Sequence, residues 1–145
     1  MSRVSTYLNF MGQTEEAFNY YASVFGTEIE GEFLRMGDMQ SGPEAPPLTE
    51  DEKKLVGHAV LPILAGHVLM GTDVLESMGH ELRVGNNVTI NLEPDTREEC
   101  DRLYAALSEG GSESTGLTEM PWGYWGCTLD RFGIRWMFNV ANQVS

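Results

Sequence analysis

The sequence predicts an α+β protein built from two βαβββ modules, each a strand, a helix and three further strands. Three observations carry that prediction. Two alternating strands each run directly into an amphipathic helix. Short stretches of the chain recur in the same order later on. A proline-rich acidic segment has the length needed to explain the one place where the spacing of those recurrences breaks.

The first strand is Val4 to Phe10, ending in Leu8-Asn9-Phe10. The helix after it is expected from Thr14 to Phe25. Thr14 serves as N-cap, Glu15 and Glu16 suit the positive end of the helix dipole, and Gly26 suits the left-handed residue that ends a helix. Ala17, Phe18, Tyr21, Ala22 and Phe25 recur at helical spacing. Three strands are then expected at about Glu28 to Met36, Gly57 to Leu64 and His67 to Thr72, the last two joined at Ala65-Gly66. The second module repeats the order. Asn87 to Glu93 alternates, with Val88, Ile90 and Leu92 on one face and Asn87, Thr89, Asn91 and Glu93 on the other. Its helix runs from about Asp95 or Thr96 to Ser108, opening on the capping pattern Thr96-Arg97-Glu98-Glu99 and stopping at Gly110-Gly111. Cys100, Leu103, Tyr104 and Leu107 form its apolar stripe. Strands at about Glu113 to Glu119, Tyr124 to Asp130 and Ile134 to Val140 complete it, with a turn at Arg131-Phe132-Gly133.

The repeat is read from three matches. Leu8-Asn9-Phe10 corresponds to Ile90-Asn91-Leu92 at an offset of 82. Glu15-Glu16-Ala17 corresponds to Glu98-Glu99-Cys100 at 83, which makes the second strand–helix connection one residue longer. Gly66-His67-Val68-Leu69-Met70 corresponds to Gly133-Ile134-Arg135-Trp136-Met137 at 67. The drop from 83 to 67 equals the 16 residues of Asp38 to Lys53, which carries Pro43, Pro46, Pro47 and the run Glu50-Asp51-Glu52 and reads as an inserted loop. The chain is thus expected as one domain over 1–145. Residues 1–72 form the first module with its insertion at 38–53, 73–86 a linker, and 87–145 the second module.

Composition excludes whole classes of partner. Nine Lys and Arg against 22 Asp and Glu give a formal net charge of −13, which is unsuited to a phosphate backbone or an anionic membrane surface. No apolar run approaches the roughly 20 residues of a membrane span, and the N-terminus lacks the apolar core of a signal peptide. Two cysteines, Cys100 and Cys127, are too few for a disulfide framework. These features predict a reduced, cytoplasmic protein that binds neither nucleic acid nor membrane.

No phosphate loop, nucleophile elbow, dinucleotide fingerprint or metalloprotease motif occurs. Of the three histidines, His58 and His67 lie nine residues apart across an expected hairpin and are candidate neighbours. The polar strand faces are the more informative signal. Ser5, Tyr7 and Asn9 share one face of the first strand; Asn87, Thr89 and Asn91 share the corresponding face of the fifth. A sheet covered by helices on one side leaves the other free to line a cleft, and amide and phenol groups among Met and Trp suit a small molecule.

The chain resembles the vicinal oxygen chelate superfamily, which includes glyoxalase I, bleomycin-resistance proteins and extradiol dioxygenases, and within it the PhnB-like branch. The resemblance covers nearly the whole length. It rests on Tyr7-Leu8-Asn9-Phe10, Glu15-Glu16-Ala17-Phe18 with Tyr20-Tyr21, Val24-Phe25-Gly26, and Gly37-Asp38-Met39. It continues through His67-Val68-Leu69-Met70-Gly71, Gly85-Asn86-Asn87-Val88 and Trp122-Gly123 to Asp130-Arg131-Phe132-Gly133-Ile134-Arg135-Trp136-Met137-Phe138-Asn139. It implies paired βαβββ modules forming incomplete barrel sheets around a cleft, the glyoxalase/bleomycin-resistance fold, and a homodimer. The superfamily's enzymes hold a divalent metal on the first and fourth strands of each module. Here the fourth-strand positions fall at Met70 and Met137, and thioether is a poor ligand for Mg, Mn, Fe or Zn. Many PhnB-like chains are labelled as methyltransferases, yet this sequence has no Gly-rich strand–helix turn for a methyl-donor nucleotide.

The expectation is therefore a small-molecule binding protein that needs no cofactor or metal. Its ligand pocket is expected to draw on Tyr7, Asn9, His58, Met70, Asn87, Asn91, Trp125 and Met137. The competing reading is a glyoxalase- or dioxygenase-like enzyme holding a divalent metal through non-standard ligands such as His58 with loop carboxylates.

Overall fold

The structure, a computed structural model, describes residues 2–39 and 47–142. The chain divides into two compact units, Met1–Arg83 and Val84–Ser145. The first contains β1 (Thr6–Phe10), α1 (Thr14–Phe25), β2 (Leu34–Arg35), α2 (Glu50–Lys54), β3 (Val56–Pro62) and β4 (Val68–Asp73). The second contains β5 (Ile90–Leu92), α3 (Arg97–Ser108), β6 (Thr118–Met120), β7 (Gly123–Leu129) and β8 (Arg135–Ala141). Each unit has one four-stranded sheet, ordered β1-β4-β3-β2 and β5-β8-β7-β6. The first strand of each runs parallel to the last, and the other neighbours are antiparallel. This is the α+β glyoxalase/bleomycin-resistance fold.

One helix covers one face of each sheet. In the first unit Ala17, Phe18, Tyr21 and Val24 of α1 are buried together with Leu8, Phe10, Ala59, Leu61 and Leu69. In the second, Cys100, Leu103 and Leu107 of α3 are buried together with Leu92, Trp136, Phe138 and Val140. The alternation along each strand is the period of two that a half-covered sheet imposes.

The sheet register corrects the sequence alignment of the two modules. Tyr7 stands opposite Met70, and Asn91 stands opposite Met137. With Met70 equivalent to Met137, Tyr7 is the counterpart of Asn91, an offset of 84 rather than 82. Burial agrees: Leu8 and Phe10 are buried, as are Leu92 and Pro94, with exposed residues between them. The helices keep the offset of 83, so the second strand–helix connection is one residue shorter, not longer. The pattern Leu-Asn-Phe against Ile-Asn-Leu misled because two-residue slips preserve strand alternation.

Other expectations change in detail. Gln13, not Thr14, is the residue before α1; Thr14 is the first helical residue and is fully buried. The strands expected at Glu28 to Met36 and Glu113 to Glu119 shrink to two and three residues at the sheet edges. The expected loop 38–53 carries the start of a helix: Glu50–Lys54 is α-helical, with Thr49 and Glu52 forming a reciprocal capping box, and the acidic run is its first turn. Residues 40–46 of that loop lie outside the described residues. Asp73, expected to open a linker, ends β4 and is buried.

Candidate functional site

The period of two sorts each sheet into a helix-covered face and a face turned away. In the first unit Tyr7 and Asn9 of β1, Met70 and Thr72 of β4, and His58 and Val60 of β3 share the latter. The register places Tyr7 beside Met70, Asn9 beside Thr72, and Val60 on the other side of Met70. Tyr7 and His58 meet across the intervening strand: Tyr7 Oη is 3.1 Å from His58 Nδ1, and their rings are 5.8 Å apart. With the phenol donating, the His58 ring would carry its proton on Nε2. Burial raises the Tyr7 phenol above its ordinary value, so this donor stays protonated. Ser5 Oγ points at the Met70 sulfur, 3.8 Å away.

In the second unit Asn91 of β5, Arg135, Met137 and Asn139 of β8, and Trp125 and Cys127 of β7 share the corresponding face. Met137 lies between Asn91 and Cys127, and Asn139 opposite Trp125. Asn139 Nδ2 donates to Asn91 Oδ1 at 2.6 Å, while the indole of Trp122 donates to Asn139 Oδ1 at 3.1 Å. This chain fixes both amides. Burial pushes the Cys127 thiol up, with the charge of Arg135 opposing it.

Six of the eight residues expected at the site are thus three equivalent pairs: Tyr7 with Asn91, Met70 with Met137, and His58 with Trp125. Asn9 lies on the same face as Tyr7. Asn87 does not belong: it sits in an exposed bend three residues ahead of β5. The expected neighbours His58 and His67 are apart. His67 is bonded to Thr6 at 2.8 Å, and the hairpin register puts the two rings on opposite faces. Asn139, Arg135 and Cys127 were not among the expected site residues, although stepping by two from Met137 reaches both Arg135 and Asn139.

The side chains of these three equivalent pairs are a phenol, an amide, two thioethers, an imidazole and an indole. With one imidazole and no carboxylate, that set does not fit a hard divalent ion. Among the described residues no three His, Cys, Asp or Glu side chains gather as a metal-holding group. Two cavities lie away from these faces. One of about 390 Å³ is bounded by Asp95, Thr96, Arg97, Glu98, Val140 and Ala141 at the start of α3. One of about 570 Å³ is bounded by Glu15, Arg35, Asp38, Glu50 and lysines of α2.

Comparison with known proteins gives a consistent lineage. The sequence model of the family described as 3-demethylubiquinone-9 3-methyltransferase matches residues 2–139. The protein YjdN of Escherichia coli K12 is 29% identical over 97% of this chain and 96% of its own length. Protein PA1353 of Pseudomonas aeruginosa superimposes with a TM-score of 0.81 at 29% identity, covering 99% of this chain and 100% of its own. A PhnB protein of Bacillus cereus, described as a putative 3-demethylubiquinone-9 3-methyltransferase, gives 0.73 at 25% identity, over 97% and 100%. A glyoxylase/bleomycin resistance protein/dioxygenase domain from Frankia gives 0.65 at 15% identity, over 100% and 96%, and attests the fold alone.

Proposed function

The chain belongs to the PhnB-like family described as 3-demethylubiquinone-9 3-methyltransferase, and from that premise we propose that it is a metal-free small-molecule binding protein. The ligand lies against the sheet faces turned away from the helices. The observation that carries this reading is the chemistry of the equivalent pairs. Where relatives with metal chemistry place carboxylates, this chain has Met70 and Met137, flanked by Tyr7, His58, Asn91 and Trp125. Thioether, aromatic and amide groups pack against and hydrogen-bond an organic ligand; they do not polarise one as a Lewis acid would.

Methyl transfer finds no support in the same residues. The turn after β1 is Met11-Gly12-Gln13 and the turn after β5 is Glu93-Pro94-Asp95-Thr96. Neither is the glycine-rich phosphate cradle of a nucleotide site. A second reading, a glyoxalase- or dioxygenase-like enzyme with non-standard ligands, draws on one observation: the Tyr7–His58 hydrogen bond is a pairing capable of proton transfer.

Elemental analysis of protein purified without chelator separates the two readings. The expected result is no stoichiometric Fe, Mn, Ni or Zn; a stoichiometric metal that disappears in His58→Ala overturns the metal-free reading. A thermal-shift screen over cationic antibiotics, phosphonates and α-keto aldehydes tests binding, because a ligand of the native state raises its melting temperature. The proposal includes a homodimer, for which light scattering should return twice the chain mass of 16.1 kDa.

A further inference from the structure

Resting on the binding reading above, the geometry points to a carboxylate-bearing ligand on the second unit's sheet face, its carboxylate on Arg135 and its uncharged end at Asn91 and Asn139.

Arg135 occupies the first position of β8, on the same face as Met137 and Asn139. Its counterpart in the first unit, by the same offset that relates Met70 to Met137, is the apolar Val68. The corresponding face there, with Tyr7, Asn9, His58, Val60, Met70 and Thr72, carries neither Lys nor Arg. A cation therefore stands at one end of one face in a chain whose net charge is −13.

That cation is incompletely satisfied. Its Nε is buried and has no hydrogen-bond partner. A single ion pair holds its other end, from Nη1 to Glu113 Oε2 at 3.3 Å, and the Glu113 side chain is 58% exposed. Glu113 reaches the guanidinium from a left-handed backbone position, φ 51°, which costs a non-glycine residue conformational energy. An exposed, long ion pair contributes little, whereas the planar guanidinium fork is matched by a carboxylate bound through both oxygens. Glu113 thus serves as a counter-ion that a ligand carboxylate displaces.

The strand sets the ligand's length. Arg135 and Asn139 are four residues apart on β8, about 13 Å along an extended strand. Between them lie Met137 and, across the register, Cys127. Trp125 lies beside Asn139. The face therefore reads as an anion anchor, an apolar middle and an uncharged hydrogen-bonding end. Glu93, one residue beyond β5 on that side, disfavours a second anion there.

The test uses 4-hydroxycinnamate as probe, with its methyl ester as the neutral match and phenylphosphonate as the dianionic alternative. Binding is read by indole fluorescence and calorimetry. The acid is expected to bind in the millimolar range or better, and the ester roughly tenfold or more weakly. Arg135→Gln should abolish the difference between acid and ester while leaving ester binding in place. Glu113→Gln should tighten the acid about twofold to threefold, by removing the competing carboxylate. Equal binding of acid and ester to the native protein, unchanged acid affinity in Arg135→Gln, weaker acid binding in Glu113→Gln, or preference for phenylphosphonate each overturns the carboxylate assignment while leaving a ligand-binding face. Absence of binding by all three probes, together with a silent thermal-shift screen, removes the binding reading itself; absence of binding by these three alone removes the carboxylate assignment.

Discussion

The two units share one topology but fasten their helices by different chemistry. In the first, the Asp73 carboxylate accepts from Thr14 N at 3.0 Å, Thr14 Oγ1 at 2.7 Å and Val56 N at 2.9 Å. One buried side chain thereby ties the start of α1 to the end of β4 and the start of β3, replacing a local cap at Gln13, which makes no side-chain bond. In the second unit the position equivalent to Asp73 is Val140, and the start of α3 is capped locally by Thr96 accepting from Glu99 N at 3.1 Å. The cavity beside Thr96 and Val140 lies where the first unit has its carboxylate. The second unit's buried acid stands at the opposite end of its hairpin: Asp130 accepts from Phe132 N, Ile134 N and the Trp136 indole, closing the β7–β8 turn. The lesson is that a duplicated fold keeps its register while the residues answering unpaired backbone donors move freely between equivalent places.

The largest effect expected from breaking this comparison is at Asp73. Asp73→Ala strands three donors in a buried site and should destabilise the protein by about 3–5 kcal/mol. Thr96→Ala removes one exposed cap and should cost about 1 kcal/mol. Urea unfolding of both variants checks the contrast; similar losses would mean that α1 does not depend on the carboxylate.

A smaller effect is expected where the helix meets the sheet. Gly71 faces Phe18, and a Cβ there would lie 2.6 Å from the ring. The equivalent position in the second unit is Phe138, against which the Tyr104 ring packs edge-on at 5.4 Å. The bulk is carried by the helix in one unit and by the strand in the other. Gly71→Ala should therefore overpack the first unit and cost about 1–3 kcal/mol. A neutral result by thermal melting would show that α1 moves outward without loss.

The smallest effect is confined to alkaline pH. Burial pushes the Cys100 thiol from 9.0 to about 11, whereas its counterpart Ala17 has no proton to lose. A group whose pKa is raised by folding supplies stability that is complete below its unfolded value and is lost as pH rises through the folded one. Stability should thus decline between pH 9 and about 11, and Cys100→Ala should flatten part of that decline. Melting temperatures of both proteins across this window measure it; identical slopes would sever the link to Cys100.

The larger outlines of the fold were legible in the residues. Alternation located the strands of both hairpins to within about a residue or two, because a half-covered sheet imprints its period directly. Helices α1 and α3 were equally plain, from their stripes and glycine stops, whereas the short α2 was read as loop. The short edge strands β2 and β6 were overdrawn, since β-forming residues at an edge lack partners to extend the ladder. At the site, Tyr7, His58, Met70, Asn91, Trp125 and Met137 were legible through periodicity and resemblance. Asn87 was misplaced because the alternation begins in the sequence before the backbone has entered the sheet.

By itself the sequence determined that this is an acidic α+β chain of two similarly ordered halves, with Met70 and Met137 at corresponding places in them. Those properties are local or compositional, and local patterns survive without knowledge of what lies across the sheet. Only the tertiary structure decided the equivalence of Tyr7 and Asn91, the Tyr7–His58 contact, the Asp73 clasp and the half-satisfied Arg135. The contacts join residues from 17 to 59 positions apart, and the equivalence depends on strand register. A slip of two residues leaves the alternation unchanged, so hydrogen bonding across the strands had to fix the register before any of these partners could be named.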